Sequence, residues 1–160
     1  MNLLRTMRFV ALLLAALTLG LGFGHLMQLP SRMGWDQYLW VGSTVQGGLY
    51  AMFGSIGAIL FVATVIALAL LAYFVREHDR PGFALAAAAG LFALALVLWW
   101  MLVYPVNVEL ATWVDGPVPV DWTAYRARWE WGHAIIAGVE LLGFAALVGS
   151  VLADTPRNLR

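Results

Sequence analysis

Between Phe9 and Leu29 the chain runs for 21 residues with only Thr18, His25 and Gln28 as polar interruptions. A helix rises about 1.5 Å per residue, so a run of this length spans a hydrocarbon layer of about 30 Å. Three comparable runs follow, and together they predict an all-α, integral membrane four-helix bundle in a single domain, with helices at about 8–29, 47–75, 82–104 and 122–153. A composition of 62% hydrophobic and 11% charged residues agrees. The formal net charge of zero provides no field for nucleic acid, and the absence of cysteine excludes disulfides, thiolate ligands, iron–sulfur clusters and covalently attached haem.

Arg5 and Arg8 precede the first run like the basic region of a signal peptide, but the run is too long and lacks a clear cleavage motif, so an uncleaved anchor is expected. Gly20 and Gly24 form a small-xxx-small pair that lets a neighbouring helix approach. Pro30 and the polar residues after it are expected to end helix one, with Trp35, Tyr38 and Trp40 as interfacial aromatics. Helix two starts at about Gln46 or Leu49. Arg76 to Arg80 make a hydrophilic turn ended by Pro81, with His78 a solvated loop residue. Pro105 and Asn107 are expected to break helix three, and Gly116, Pro117 and Pro119 to make the next connection irregular. Asp121 is the candidate N-cap of helix four, whose length of about 48 Å would carry it beyond the outer membrane face. Arg5, Arg8, Arg76, Arg80, Arg157 and Arg160 fall on one side and Arg32, Arg126 and Arg128 on the other, so both termini are expected in the cytoplasm.

At about 100° per residue, Arg126, Trp129, Glu130, His133, Ala137, Glu140 and Phe144 share one face of helix four, while Arg128 and Trp131 point elsewhere. Ionisable groups are costly against lipid, so this stripe should face the bundle interior. The same end receives His25 from helix one, Gln46 from helix two, and Tyr104, Asn107 and Glu109 from helix three.

Several chemistries fit that set. Glu130 and His133 have the E-x-x-H spacing of di-iron bundles, but those sites use two such motifs and two further glutamates, against one motif here. A single transition metal, Fe, Cu or Zn, held by His25, His133 and one or two carboxylates from Glu109, Glu130 and Glu140 suits imidazole and carboxylate preferences. Two histidines at similar depth would also suit a haem b. Without any ligand, Arg126 would pair with Glu130 at i, i+4 and His133 would hydrogen-bond Asn107 or Glu109. Glu140 has no basic residue at its depth and should be protonated, ligated, paired with His25, or part of a proton relay.

The segment from Asn107 through Trp122 to Arg126-Ala-Arg128-Trp129-Glu130-x-x-His133, together with His25 and Pro30, resembles the anthrone-oxygenase-like family of small four-helix membrane proteins. The Arg-x-Arg-Trp-Glu-x-x-His element is the specific part of the likeness. The resemblance implies an O₂-dependent oxidation of a polycyclic phenolic anthrone to a quinone, with His25, Asn107, Trp122, Arg126, Arg128, Trp129, Glu130 and His133 as the matching positions. The chain departs from the pattern at Ile136, where many members have arginine or asparagine, and at Glu140.

The expected protein is a membrane oxidoreductase or monooxygenase for a hydrophobic aromatic or quinone-type molecule arriving from the outer leaflet. His133 would be base or metal ligand and His25 its partner, Arg126 or Arg128 would stabilise a phenolate, and Glu130 would orient His133. Trp122, Trp129, Asn107, Tyr104 and Gln46 would line the pocket, and Glu140 would shuttle protons. The alternative is a non-catalytic scaffold or accessory subunit whose polar end is structural. A transporter would require a homo-oligomer, for which Gly54, Gly57, Gly138 and Gly143 supply close-packing faces.

Overall fold

The computed structural model describes residues 3–46, 50–77 and 79–154. His78, Arg157, Arg160 and the expected start of helix two at 47–49 lie outside the described residues. Six helices are formed among them: α1 (Leu3–Met33), α2 (Gln37–Val41), α3 (Ala51–Val75), α4 (Asp79–Leu98), α5 (Tyr104–Thr112) and α6 (Trp122–Ala153). A π-helical turn, Gly42–Gln46, follows α2, and another, Trp99–Val103, joins α4 to α5. Four stretches are long and apolar enough to cross a membrane: Leu3–Met33, Met52–Val75, Gly82–Thr112 and Trp122–Ala153. The protein is an all-α integral membrane bundle.

Successive spans are neighbours in space: α1 packs on α3, α3 on α4, α4 on α6, and α6 back on α1. The buried positions of α3 (Phe61, Thr64, Leu68, Leu71, Val75) and of α4 (Leu85, Ala88, Phe92, Ala95) alternate in steps of three and four. That spacing keeps one seam facing inward and favours the shallow crossing angle of a coiled-coil-like bundle. The hydrophobic ones, with Ala11, Ala15 and Leu147, fill the half of the bundle that holds the start of α1 and the end of α6. Arg8 also pairs there with Asp154, joining α1 to the end of α6.

Two prolines expected to end helices lie inside them. Pro30 sits in the last turn of α1, which continues to Met33, where a proline removes only one backbone bond. Pro105 occupies the first turn of α5, where its missing N–H matters least, and the third span continues to Thr112. The π turn before it bonds the Tyr104 N–H to the Trp99 carbonyl. The Met101 carbonyl, the acceptor a helical residue 105 would have used, takes Arg128 Nη2 at 3.2 Å. Gly132 makes this packing possible, since a Cβ there would lie 3.1 Å from Val103 Cγ2. Asp121 does precede α6, but its side chain makes no capping bond.

The glycines serve differently from expectation. Gly20 and Gly24 face open space, whereas the missing Cβ of Gly22 leaves room for Glu140 and Ala137 of α6. Gly143 packs on Phe92 inside the bundle, and Gly54 and Gly57 line a cavity.

Candidate functional site

The end of the bundle where α1 finishes and α6 begins is polar in two distinct ways. Arg32 follows His25 by seven residues and so lies on the same face of α1, where it is 0% exposed. Its Nε donates to Glu130 Oε1 at 2.6 Å, Nη1 to the Tyr50 hydroxyl at 2.8 Å and Nη2 to Thr44 Oγ1 at 2.7 Å. Trp40 Nε1 donates to the same Glu130 oxygen at 2.7 Å. The guanidinium carbon lies between 4.9 and 5.9 Å from the ring centroids of Trp35, Trp40, Tyr50 and Trp129. A charge removed from water survives only with such partners, and here each is supplied. Burial pushes the Tyr50 phenol above its ordinary value against the opposing pull of Arg32, so it keeps its proton and donates to Gln28 Oε1 at 2.8 Å. The cluster pins α2 and its π turn across the bundle end.

Beside it lies a cavity of about 830 Å³. All four spans contribute to its wall, with His25, Tyr50, Phe53, Asn107, Trp129, His133 and Glu140 set among leucine, valine and alanine side chains. The wall continues onto the outer surface of the bundle between α3 and the α4–α5 span, through Val62, Val97 and Trp100, which are 45%, 53% and 61% exposed. Trp100 stacks on Tyr104 at this mouth, centroids 4.4 Å apart and 7° from parallel.

His25 and His133 meet inside, with ring centroids 4.4 Å apart. His25 also stacks on Tyr50 at 5.2 Å and meets the rings of Phe53 and Trp129. His133 Nδ1 lies 2.9 Å from the Trp129 carbonyl. A carbonyl only accepts, so a neutral His133 carries its proton on Nδ1 and keeps an open lone pair on Nε2. Trp129 is fixed in turn by its Nε1 bond to Asn107 Oδ1, 2.8 Å. Deeper in, Glu140 is 2% exposed. Its Oε2 and His25 Nδ1 are buried without a hydrogen-bond partner.

The α6 stripe therefore faces inward as its periodicity requires, and His25, His133, Trp129, Asn107, Tyr104 and Glu140 come together. The other candidate residues do not. Glu130 neither pairs with Arg126 nor joins His133, because Arg32 reaches it from α1. Arg126 instead donates to the Trp35 carbonyl and lies over Trp122, which packs on Trp40 away from the cavity. Arg128 is exposed and caps Met101. Glu109 accepts from Trp113 Nε1 at 3.2 Å, and His133 bonds neither it nor Asn107. Gln46 lines a separate surface groove with Tyr38 and Val118. Glu140 makes no hydrogen bond to His25 through its Oε2.

Nor is the metal set assembled. Among the described residues no three His, Cys, Asp or Glu side chains are grouped as ligands, since Glu130 and Glu109 are held elsewhere. The touching histidine rings leave no room for a macrocycle between them as axial ligands. The residues present do not fit a metal or haem b.

Tyr50, Thr44 and Phe53 carry no signal in the sequence that marks them as site residues, and Arg32 and Trp40 read there only as an outer-side charge and an interfacial aromatic. The available signal for Arg32 was its two-turn spacing from His25. No family model, no curated protein and no solved structure matches this chain.

Proposed function

We propose that the protein is a membrane oxidoreductase of the monooxygenase type, acting on a flat hydrophobic aromatic or quinone-type molecule that reaches the cavity from the outer leaflet. The observation that carries this reading is the His25/His133 pair at the wall of an apolar cavity open to the lipid-facing surface. Ligand sites of this kind are mostly apolar, with a few polar groups that fix orientation. The likeness of the Arg126–His133 segment to anthrone-oxygenase-like proteins points the same way.

In the chemistry proposed, His133 Nε2 removes a proton from an acidic C–H or phenolic O–H of the substrate, and His25 is positioned to share the charge. The resulting anion is electron-rich and is oxidised by O₂. A ring CH₂ becomes a carbonyl, one oxygen atom ending on carbon and the other leaving as water with the two hydrogens. Arg126 and Arg128 are committed to the Trp35 and Met101 carbonyls, so the anion is stabilised by the imidazolium that its own deprotonation creates at His133.

The test is quinone formation and O₂ uptake by the protein in lipid vesicles given an anthrone, beside empty vesicles. Conversion above background that His133→Ala removes supports the reading. Conversion no faster than background with anthrones and hydroquinones alike overturns it. The complete Arg32 cluster favours a second reading, a scaffold whose polar end is purely structural, and the same null result would leave that reading in place.

A further inference from the structure

We infer that the molecule held in the cavity carries an aliphatic tail: its ring lies among the aromatic side chains at the polar end, and its tail runs along a slot between α3 and the third span into the lipid. This rests on the reading that the cavity holds an aromatic or quinone-type molecule, and it narrows that class to lipid-tailed phenols and quinones. The slot follows from how α3 packs. No residue from 52 to 60 is buried, and the buried series of α3 begins at Phe61. The π turn Trp99–Val103 and α5 pack on α6, so α3 and the third span part towards the polar end. Gly54, Ala58 and Val62 recur at four-residue spacing on one face of α3 and line the gap with little bulk.

The chemistry of the cavity changes along its length. At the polar end His25, Tyr50, Phe53, Trp129 and His133 present rings whose neighbouring centroids are 4.2 to 5.6 Å apart. Towards the middle of the bundle the lining becomes Leu21, Gly57, Phe61, Leu96 and Val97. Thr18 and Glu140 stand on the far wall but are 3% and 2% exposed, and Thr18 is bonded to Thr64, so they present almost no polar surface there. From Phe53 to Val62 the slot covers about 14 Å along α3, longer than a fused two-ring system, and the length beyond a ring is apolar. Val97 is the midpoint of the Gly82–Thr112 stretch and Val62 lies near that of Met52–Val75, so the mouth opens at the level of the acyl chains. A tailed phenol or quinone dissolved in a bilayer already has this order, with its polar ring towards the interface and its chain towards the midplane. It enters sideways without turning over, and its tail fills the part of the slot that a bare ring leaves empty.

The experiment titrates two probes into the full chain in lipid vesicles, 2-methyl-1,4-naphthoquinone and the same ring carrying a decyl chain at C3, and reads saturable quenching of tryptophan fluorescence. Amounts are expressed as mole fraction in the membrane, so that the stronger partition of the decyl probe cancels. The parent protein is expected to hold both. A Cβ at Gly54 meets nothing within 4 Å, so Gly54→Leu combined with Ala58→Leu fills the slot without striking a neighbouring helix and should weaken the decyl probe about tenfold relative to the methyl probe. A second measurement needs no variant: a decyl chain ending in a diazirine, photolysed on the parent protein, should label Val62 and Val97 ahead of the lipid-facing Ile59 and Ile66. Equal losses for the two probes, no loss for either, or labelling spread evenly over the lipid-facing residues overturns the tail slot while the ring-binding reading stands. Exclusion of the decyl probe from a parent protein that holds the methyl probe, as when a second copy of the chain covers the slot, overturns it in the same way. Failure of both probes to bind the parent protein overturns the ring-binding reading and the slot with it.

Discussion

The Arg32 cluster and the Glu140 wall both lie where α1 meets α6, and both bury charge-bearing side chains almost completely. In the first, a guanidinium and a carboxylate meet at 2.6 Å and each further donor finds an acceptor. In the second, a carboxyl oxygen and an imidazole nitrogen are buried beside the cavity without a hydrogen-bond partner. Burial is the same in both; what separates them is satisfaction. The Arg32 cluster is complete within the chain, and the polar atoms of the Glu140 wall are not.

Four substitutions test that contrast. The largest effect is expected at His133→Ala, which should lower the proposed turnover by about two to four orders of magnitude, the range for a lost general base, while the thermal midpoint moves little. A large loss of stability at this position would move His133 into the structural group. Next, Arg32→Met leaves Glu130 buried and unpaired and should destabilise the fold by about 3–5 kcal/mol in a denaturant titration. Adding Glu130→Gln should recover part of that loss, and an unchanged midpoint in the single variant would end the idea that the cluster holds the bundle end together. Glu140→Leu should act in the opposite direction, raising stability by about 1–3 kcal/mol because it removes an unsatisfied buried acceptor. Destabilisation there would mean that Glu140 belongs with Arg32. The smallest effect is expected at Thr18→Val, which forfeits one neutral hydrogen bond to Thr64 and about 1 kcal/mol in the same denaturant titration.

The α6 stripe was legible in the sequence because a 3.6-residue period fixes which side chains share a face, and lipid cannot accept the charged one. The isolation of Glu140 was legible for a related reason, since no basic residue occurs at its depth. Arg32 was not, because Pro30 reads as a helix end and a charge beyond it reads as part of a loop. The helix runs one turn further, and that turn converts an interfacial arginine into the partner of Glu130. Pro105 misleads in the same way: the π turn and the Arg128 cap absorb its missing donor, so the third span reaches Thr112. Pairings between residues 98 apart, as for Arg32 and Glu130, carry no local periodicity and come only from the packing of spans.

The mouth between Val62 on α3 and Val97 and Trp100 on the third span has a consequence for how any ligand is measured. A molecule that reaches the cavity sideways through the bilayer is delivered by two-dimensional diffusion, and its effective concentration is the one dissolved in lipid. Apparent affinities referred to the aqueous phase should then weaken in proportion as more lipid is added at fixed ligand, and should become constant when restated as mole fraction in the membrane.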